Sequence, residues 1–438
     1  MDYSVLSLAK RTFRAERVRG TGLSFSFRSK LDASEAKNAD LSVLPPISGF
    51  GDPPLRSPEA QGPDAPGNPW RIEVLGIAID HFDEIWFDAY HFRGAARLDG
   101  AFFLRPGLRV SIGPARVSIE SGAVQIGRAP VGVFISGSIE SAFEPFEPPK
   151  VHGTDFWRRA SGAVQLDGRF DRLESLGHLV SSSGTRLEGG AGTATIRGVV
   201  ESGIAKGDIR LAVQDGSLRL ARLALRGNAE GRVLIPHWSL MTGAIEIAGS
   251  RVAFADVRAS GSDDSRSWWG RFDIRSGTIG STTTARIDAE ARDARPLLAL
   301  FAADLPAWTR DLVKLDGLSA TGTVSLGPSL ARIRGLDARG GTFHIQGHYL
   351  REKATRDGAF LIESGGLSVG LEVRPDSTKL RLLGARKWYD EQRDARSDGP
   401  MTGEDERMAA GRAIRGDPKH PPVRVRREAV PVSVGRKS

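Results

Sequence analysis

The chain has 438 residues, 40% hydrophobic and 26% charged, enough apolar material for one large domain or several smaller ones and too much for a chain disordered throughout. It has no cysteine, which excludes a disulfide scaffold, a thiolate metal site and a cysteine nucleophile; its 52 glycines show no Gly-X-Y period, which excludes collagen and points to many turns between strands. The net charge of +8 sits largely at one end, because residues 412–438 hold eight basic and two acidic side chains and leave only +2 for residues 1–411, too little for a nucleic-acid surface spread over the body.

Residues 1–28 read as a partial N-terminal strand region: a short helix or turn, then strands ending in Leu23-Ser-Phe25-Ser-Phe27, where apolar and polar side chains alternate. Residues 29–69 hold eight of the 24 prolines and read as a Pro-rich linker or loop that cannot form ladders. From 70 to 388, period-2 segments bounded by glycine follow one another. In Ala285-Arg-Ile287-Asp-Ala289-Glu-Ala291-Arg292 one face is small and apolar and the other charged, the pattern of a strand with one dry and one wet side. The phrase glycine, small residue, apolar, polar, apolar recurs at Gly122–Ile126, Gly162–Leu166, Gly192–Ile196, Gly243–Ile247 and Gly322–Leu326, spacings too uneven for a strict solenoid.

Two segments have helical spacing and are expected to pack on the sheet. Asp171–Val180 places Leu173, Leu176 and Val180 on one side, and Pro296–Leu315 does the same with Leu305, Trp308, Leu312 and Leu315. Residues 389–438 read as a disordered charged tail with a basic end. No window holds the roughly 18 consecutive apolar residues of a membrane-spanning helix, and Met1-Asp2-Tyr3 has an acid where a signal peptide carries basic residues.

The candidate chemistry is sparse. His344 and His348 have the spacing of two ligands on a helix, but Phe343-His-Ile345-Gln-Gly-His348 reads as a strand, which puts the rings roughly 13 Å apart and forbids a shared zinc. Asp80, His81, Asp83 and Glu84, followed by Asp88 and His91, could supply hard ligands or proton shuttles. The plainer reading of Asp80–Glu84 is a hairpin turn between Ile72–Ile79 and Ile85–Phe92. Phosphate-loop, Gly-x-Ser-x-Gly and His-Glu-x-x-His motifs are missing. Trp268-Trp269 fits a loop tip entering a membrane interface or stacking on sugar, or packing at a strand start. The basic tail lacks interleaved aromatic residues, so no specific nucleic acid is expected. No catalytic residue, cofactor or metal is assigned.

The strand grammar, Ala142-Phe143-Glu144-Pro145-Phe146-Glu147-Pro148 leading to Gly153-Thr-Asp155-Phe156, and Ala294–Phe301 followed by Leu305-Pro-Ala-Trp308 and Leu315–Gly322 resemble AsmA-like and TamB-like bacterial envelope proteins. The resemblance spans Val5–Leu383 and rests on texture and composition. It implies a long antiparallel sheet curled into a repeating β-groove with an apolar concave face, related to bridge-like lipid-transfer proteins, on the periplasmic side of the inner membrane. Such proteins begin with an inner-membrane helix. This sequence departs from that pattern at its start, so the expectation is a fragment or mis-started reading frame with its anchor upstream.

The fold expected is therefore mostly β, a long antiparallel, curved or groove-like sheet of loosely repeated strands with two short packed helices. Three functional readings stay open. In the first, the apolar face binds or conducts lipid in outer-membrane biogenesis. Its lining would be Ile245, Ile247, Phe272, Ile274, Val324, Leu326, Phe343 and Ile345, with Trp268 and Trp269 as an interface loop. Its partners would be phospholipid or another acyl-chain lipid, a membrane surface and other envelope proteins. In the second, the strands close into a β-rich structural or interaction scaffold. The third is a groove-type carbohydrate-active enzyme using scattered carboxylates such as Asp80, Asp83 and Asp88.

Overall fold

The computed structural model describes residues 2–3, 10–28, 31–38, 40–49, 51–55, 70–105, 108–127, 133–147, 150–151, 153–176, 185–220, 223–259, 267–280, 282–293, 317–327, 329–353 and 355–397. The chain divides into two units, Met1–Arg386 and Lys387–Ser438. The described part of the second belongs to the helix Ala385–Ser397. This helix was not expected from the sequence, whose charged composition after Trp388 hid it. The expected helix over Pro296–Leu315, the loop before Trp268 and the basic end of the tail lie outside the described residues.

The first unit is built on one sheet of 22 strands, and the expectation of a mostly β, long antiparallel sheet holds. The strands are β1 (Asp2–Tyr3), β2 (Thr12–Gly20), β3 (Leu23–Phe27), β4 (Arg71–Ile79), β5 (Phe82–Phe87), β6 (Tyr90–Arg105), β7 (Arg109–Ile126), β8 (Val133–Phe146), β9 (Ala160–Phe170), β10 (Thr185–Glu201) and β11 (Ile204–Leu220). The second half contributes β12 (Leu223–Ser239), β13 (Ile245–Glu246), β14 (Arg251–Ala259), β15 (Trp268–Ile279), β16 (Thr283–Ala291), β17 (Leu318–Gly327), β18 (Leu330–Gly340), β19 (Phe343–Glu352), β20 (Thr355–Ser364), β21 (Leu367–Val373) and β22 (Thr378–Arg381).

From β6 onward each strand pairs antiparallel with its neighbour in the chain, with β13 and β14 sharing one row between β12 and β15. Likewise β4 and β5 share the row beside β6, and β2 and β3 share the next row. The 22 strands thus fill nineteen rows. Several turns are the tightest available: Ser202-Gly203 and Gly365-Gly366 both adopt positive φ at their two central positions, the geometry that matches the twist of the flanking strands.

Two features of the N-terminal part were not legible in the sequence. β2 and β3 lie parallel to β4 and β5, which adds the described residues of 1–28 to the main sheet. Parallel neighbours need a long crossover. The proline-rich stretch is that crossover, tied down by a short helix (Ala33–Asn38), a bridge between Leu31 and Leu55, and buried Arg28, whose Nη1 donates to the Pro45 carbonyl (3.2 Å). The Asp80–Glu84 stretch is not a hairpin turn: Asp80 and His81 separate two collinear strands, and the reversal comes at Asp88-Ala89, with Asp88 in the left-handed region (φ 50).

Bulges line up in neighbouring rows. Register shifts fall at Val213/Gly216 in β11, Arg226/Asn228 in β12 and Phe254/Val257 in β14, with Asp215 and Asp256 at φ 51 and 52. Each bulge adds local twist and bend to its strand, and these three fall side by side.

Candidate functional site

Register decides which residues share a face, because partners directly across a ladder point the same way. Following those partners from row to row gives a single apolar face. Ile79, Leu98, Val117, Ile139 and Val164 lie side by side over β4 to β9, and Leu166, Ile196, Ile209 and Val233 continue over β9 to β12. Val252, Phe272, Ala289, Ala320, Ala338, Ile345, Ile362 and Val369 carry it from β14 to β21.

Burial on this face is uneven. Leu225, Val257, Trp268, Ala291, Leu318, Ala338 and Ile345 form one buried cluster, and Phe170, Leu173 and Val213 another. In this meander these lie toward one end of their rows, while Phe82, Ala96 and Ile119 form a third buried cluster nearer mid-row and Ile247, Ala285 and Ile333 are buried toward the opposite end. Leu173 opens a short 3-10 turn (Leu173–Leu176) and reaches over Gly216; of the two helices expected on the sheet, this reduced turn is what the described residues contain of the first. Between and around these clusters single positions of the same face are exposed: Ile139, Ile196, Ile279 and Leu326 are 38%, 36%, 36% and 48% exposed.

Glycine shapes the face. A Cβ added at Gly122, Gly192, Gly270 or Gly347 would lie 2.2–2.6 Å from the ring of Phe92, Phe170, Trp268 or Phe360, respectively. Each aromatic ring lies flat over a bare backbone, an arrangement that keeps the face low and close-packed. The glycine excess therefore has two sources, turns and ring seats.

The opposite face is ionic. Asp208 receives Arg232 (2.9 and 2.6 Å), Asp273 receives Arg271 (2.9 Å) and Arg251, and Arg275 pairs with Asp288. The Arg232 hydrogen bond holds the Asp208 carboxyl below its ordinary pKa. Partial burial opposes the charge on Asp273, and the two guanidinium groups outweigh it. Further along, His344 Nε2 lies 3.1 Å from Asp337 and its Nδ1 3.7 Å from Glu363, which also accepts from Arg386.

The eight residues proposed as a lining all fall on the apolar face. Phe272, Ile274, Val324, Leu326, Phe343 and Ile345 do so by register, Ile245 through its partners Trp238 and Ile279, and Ile247 by packing against the position of Gly277. Ile247 and Ile345 are buried at 5% and 8%, so they belong to the wall and not to an open surface. The tryptophan pair is not a loop tip: both residues lie within β15. Trp268 is 4% exposed, packs near Phe254 and donates from Nε1 to the Asp293 carbonyl (3.0 Å), while Trp269 points to the other face.

The acid and histidine cluster splits. Asp80 pairs with Arg97 and His81 with Asp83 at the surface. Glu84 accepts from Trp86 Nε1 (2.7 Å) and lies 3.0 Å from His91 Nε2, and the Trp86 and His91 rings stack at 4.1 Å. Among the described residues no group of three or more His, Asp or Glu side chains could hold a metal ion. His344 and His348 lie in strand β19 as expected.

A group that sequence reasoning passed over is the aromatic corner of Phe25, Phe27, Phe87 and Tyr90, which are 50%, 41%, 58% and 46% exposed on the apolar face, with Phe27 and Phe87 stacked at 4.9 Å. The alternation in Leu23–Phe27 was the available signal. No protein-family model, no curated protein and no solved structure matches this chain.

Proposed function

We propose that the protein is a non-enzymatic lipid binder whose apolar face carries acyl chains, and that it works at the bacterial envelope in membrane or outer-membrane biogenesis. One observation carries this reading: an apolar face that runs over seventeen rows, from β3 to β21, and keeps exposed positions such as Phe25, Ile139, Ile196 and Leu326 among its buried clusters. At about 4.8 Å between rows it runs for about 77 Å along the sheet. The acyl layer of one leaflet is about 15 Å deep, so several chains fit end to end. Exposed apolar strips of this extent are a poor surface for water and a good one for hydrocarbon. The textural resemblance to AsmA-like and TamB-like proteins agrees with it. Among the described residues no helix is long and apolar enough to cross a membrane, so the lipid-facing element in this reading is the sheet.

The test is lipid extraction and mass spectrometry of the full chain purified without detergent, alongside an Ile139→Asp/Ile196→Asp variant. Both positions are partly exposed, so the carboxylates can ionise without unfolding the sheet. The wild type should carry phospholipid, and the variant should lose at least about tenfold of it, equivalent to about 1.4 kcal/mol, with unchanged circular dichroism. Absence of co-purified lipid together with no uptake of an apolar dye would overturn the reading, as would undiminished lipid in the variant.

A further inference from the structure

The two edges of the sheet are built differently. β22 is four residues long, carries Lys379 and Arg381, and follows Pro375: short, basic and proline-flanked, it has the features that keep an edge from pairing. At the other edge β1 covers only Ala15–Arg17 of β2, and the row of β2 ends in β3, Leu23-Ser-Phe-Ser-Phe27, with no charge, no proline and a strict alternation suited to an interior strand. Its inner side pairs with β5, where Leu23 donates to the His81 carbonyl and the Phe27 carbonyl accepts from Asp88 (both 2.9 Å). Backbone direction alternates, so Ser24 and Ser26 turn their N–H and C=O groups outward. Among the described residues no strand pairs with that side.

This outward pattern is self-complementary. Antiparallel pairing about a two-fold axis through Phe25 sets Ser24 opposite Ser26 of a second copy and Ser26 opposite its Ser24. Each pair then exchanges two backbone hydrogen bonds, with the two Phe25 residues facing each other between them. An axis perpendicular to the sheet keeps Leu23, Phe25 and Phe27 of both copies on one side, so apolar meets apolar and serine meets serine. No like charges are brought together, because the strand has none. We propose that β3 is an isologous interface through which two copies of this chain join their sheets, so that the apolar face runs on from one copy into the next. The contact does not depend on what that face carries. A five-residue pairing is smaller than the about 1,200 Å² of a stable complex, so association is expected to be concentration-dependent.

Because the chain has no cysteine, single cysteines report the register directly. Facing residues at the non-hydrogen-bonded position have Cα atoms about 4.5 Å apart, within disulfide reach of about 4.4–6.8 Å. Two copies of residue 24 would be about 8 Å apart, beyond it. Under mild oxidation Phe25→Cys should therefore form a disulfide dimer, and Ser24→Cys should not. Sedimentation of the full wild-type chain should show a species of twice 47.1 kDa growing with concentration. Ser26→Pro, which removes an N–H that the chain's own ladder does not use, should shift that species to monomer without moving thermal unfolding. Should Ser26→Pro disturb folding, the cysteine pair stands without it. Equal cross-linking at 24 and 25 overturns the proposal. So does a chain that stays monomeric at all concentrations, including one that instead floats with anionic phospholipid vesicles through Phe25 and Phe27.

Discussion

Replacing Gly192 by alanine tests a ring seat where the neighbouring backbone crowds the same position. The added Cβ would lie 2.1 Å from the Ala212 carbonyl oxygen and 2.6 Å from Cζ of Phe170, a ring that is 0% exposed. Ordinary contact needs about an ångström more on the carbonyl side, and that atom is backbone in β11, so β10 and β11 must part locally. Overpacking costs about 1–3 kcal/mol and a weakened ladder bond about 1 kcal/mol, for an expected loss of about 3 kcal/mol. Gly322→Ala is the control. Gly322 lies on the same face, its nearest neighbour would be the Arg334 carbonyl at 3.5 Å and its φ is not in the left-handed region. Removing glycine there should stabilise by about 0.4–1 kcal/mol through the unfolded chain. Since each row touches mainly its neighbours, the readout is local as well as global. Urea unfolding of both variants should differ by 3–4 kcal/mol, on the order of a few hundredfold in the folding constant, and amide exchange should accelerate in β9–β11 of Gly192→Ala while β18–β20 keep wild-type rates. Equal stability of the two variants, or acceleration spread evenly over the sheet, would refute the idea that rings seated on glycines hold the rows together.

Glu372 is 7% exposed and accepts from Arg374 (2.8 Å) and Arg381 (3.0 Å). Burial disfavours its charge, but the two guanidinium groups outweigh it and hold the carboxyl below its ordinary 4.5, so its contribution is present above that pH and is lost as pH falls through the folded-state value. Glu372→Gln should cost about 1–2 kcal/mol at pH 7, and urea titrations from pH 7 downward should show the gap closing as pH falls below the ordinary 4.5 and through the lower folded-state value. Trp268→Phe keeps most of the ring but leaves the Asp293 carbonyl without its Nε1 donor. It should lower stability by about 1–3 kcal/mol, measured by chemical unfolding, and a neutral result would remove that hydrogen bond from the buried cluster.

The alternation of segments such as Ala285–Arg292 made the fold class and the existence of one dry face legible, because period 2 is local and survives without knowledge of partners. Register was legible only through consequence: Ile245, Phe272, Val324 and Ile345 were grouped by pattern, and the ladders place them on one face. The parallel pairing of β2 with β4 was hidden, since it joins segments about fifty residues apart and leaves no mark at either. The reversal at Asp88-Ala89 was missed because the turn-like residues Asp80–Asp83 drew attention to a break between collinear strands. Of the two readings open for Trp268, the loop tip and packing at a strand start, the second holds: the residue that follows a polar run on the dry face is where the strand enters the buried cluster. Which positions of the dry face are open depends on what packs over them and not on residue type, so Ile345 and Leu326 read alike in sequence and differ sixfold in exposure, 8% against 48%.

That difference bears on how the sheet can be stable while leaving hydrocarbon exposed. Most ion pairs on the polar face join side chains that are half or more exposed on at least one partner, and such pairs contribute about 0–1 kcal/mol each. They fix register more than they supply stability. The burden falls on the backbone ladders and on the buried clusters, where Trp268, Val257, Phe170 and Leu173 are almost fully enclosed. A sheet stabilised by such clusters does not need its exposed apolar positions covered in order to fold, so an apolar ligand can come and go over them without the rows parting. Substitutions divide accordingly: at Trp268 or Gly192 they act on folding, and at Ile139 or Ile196 they act on what the face holds.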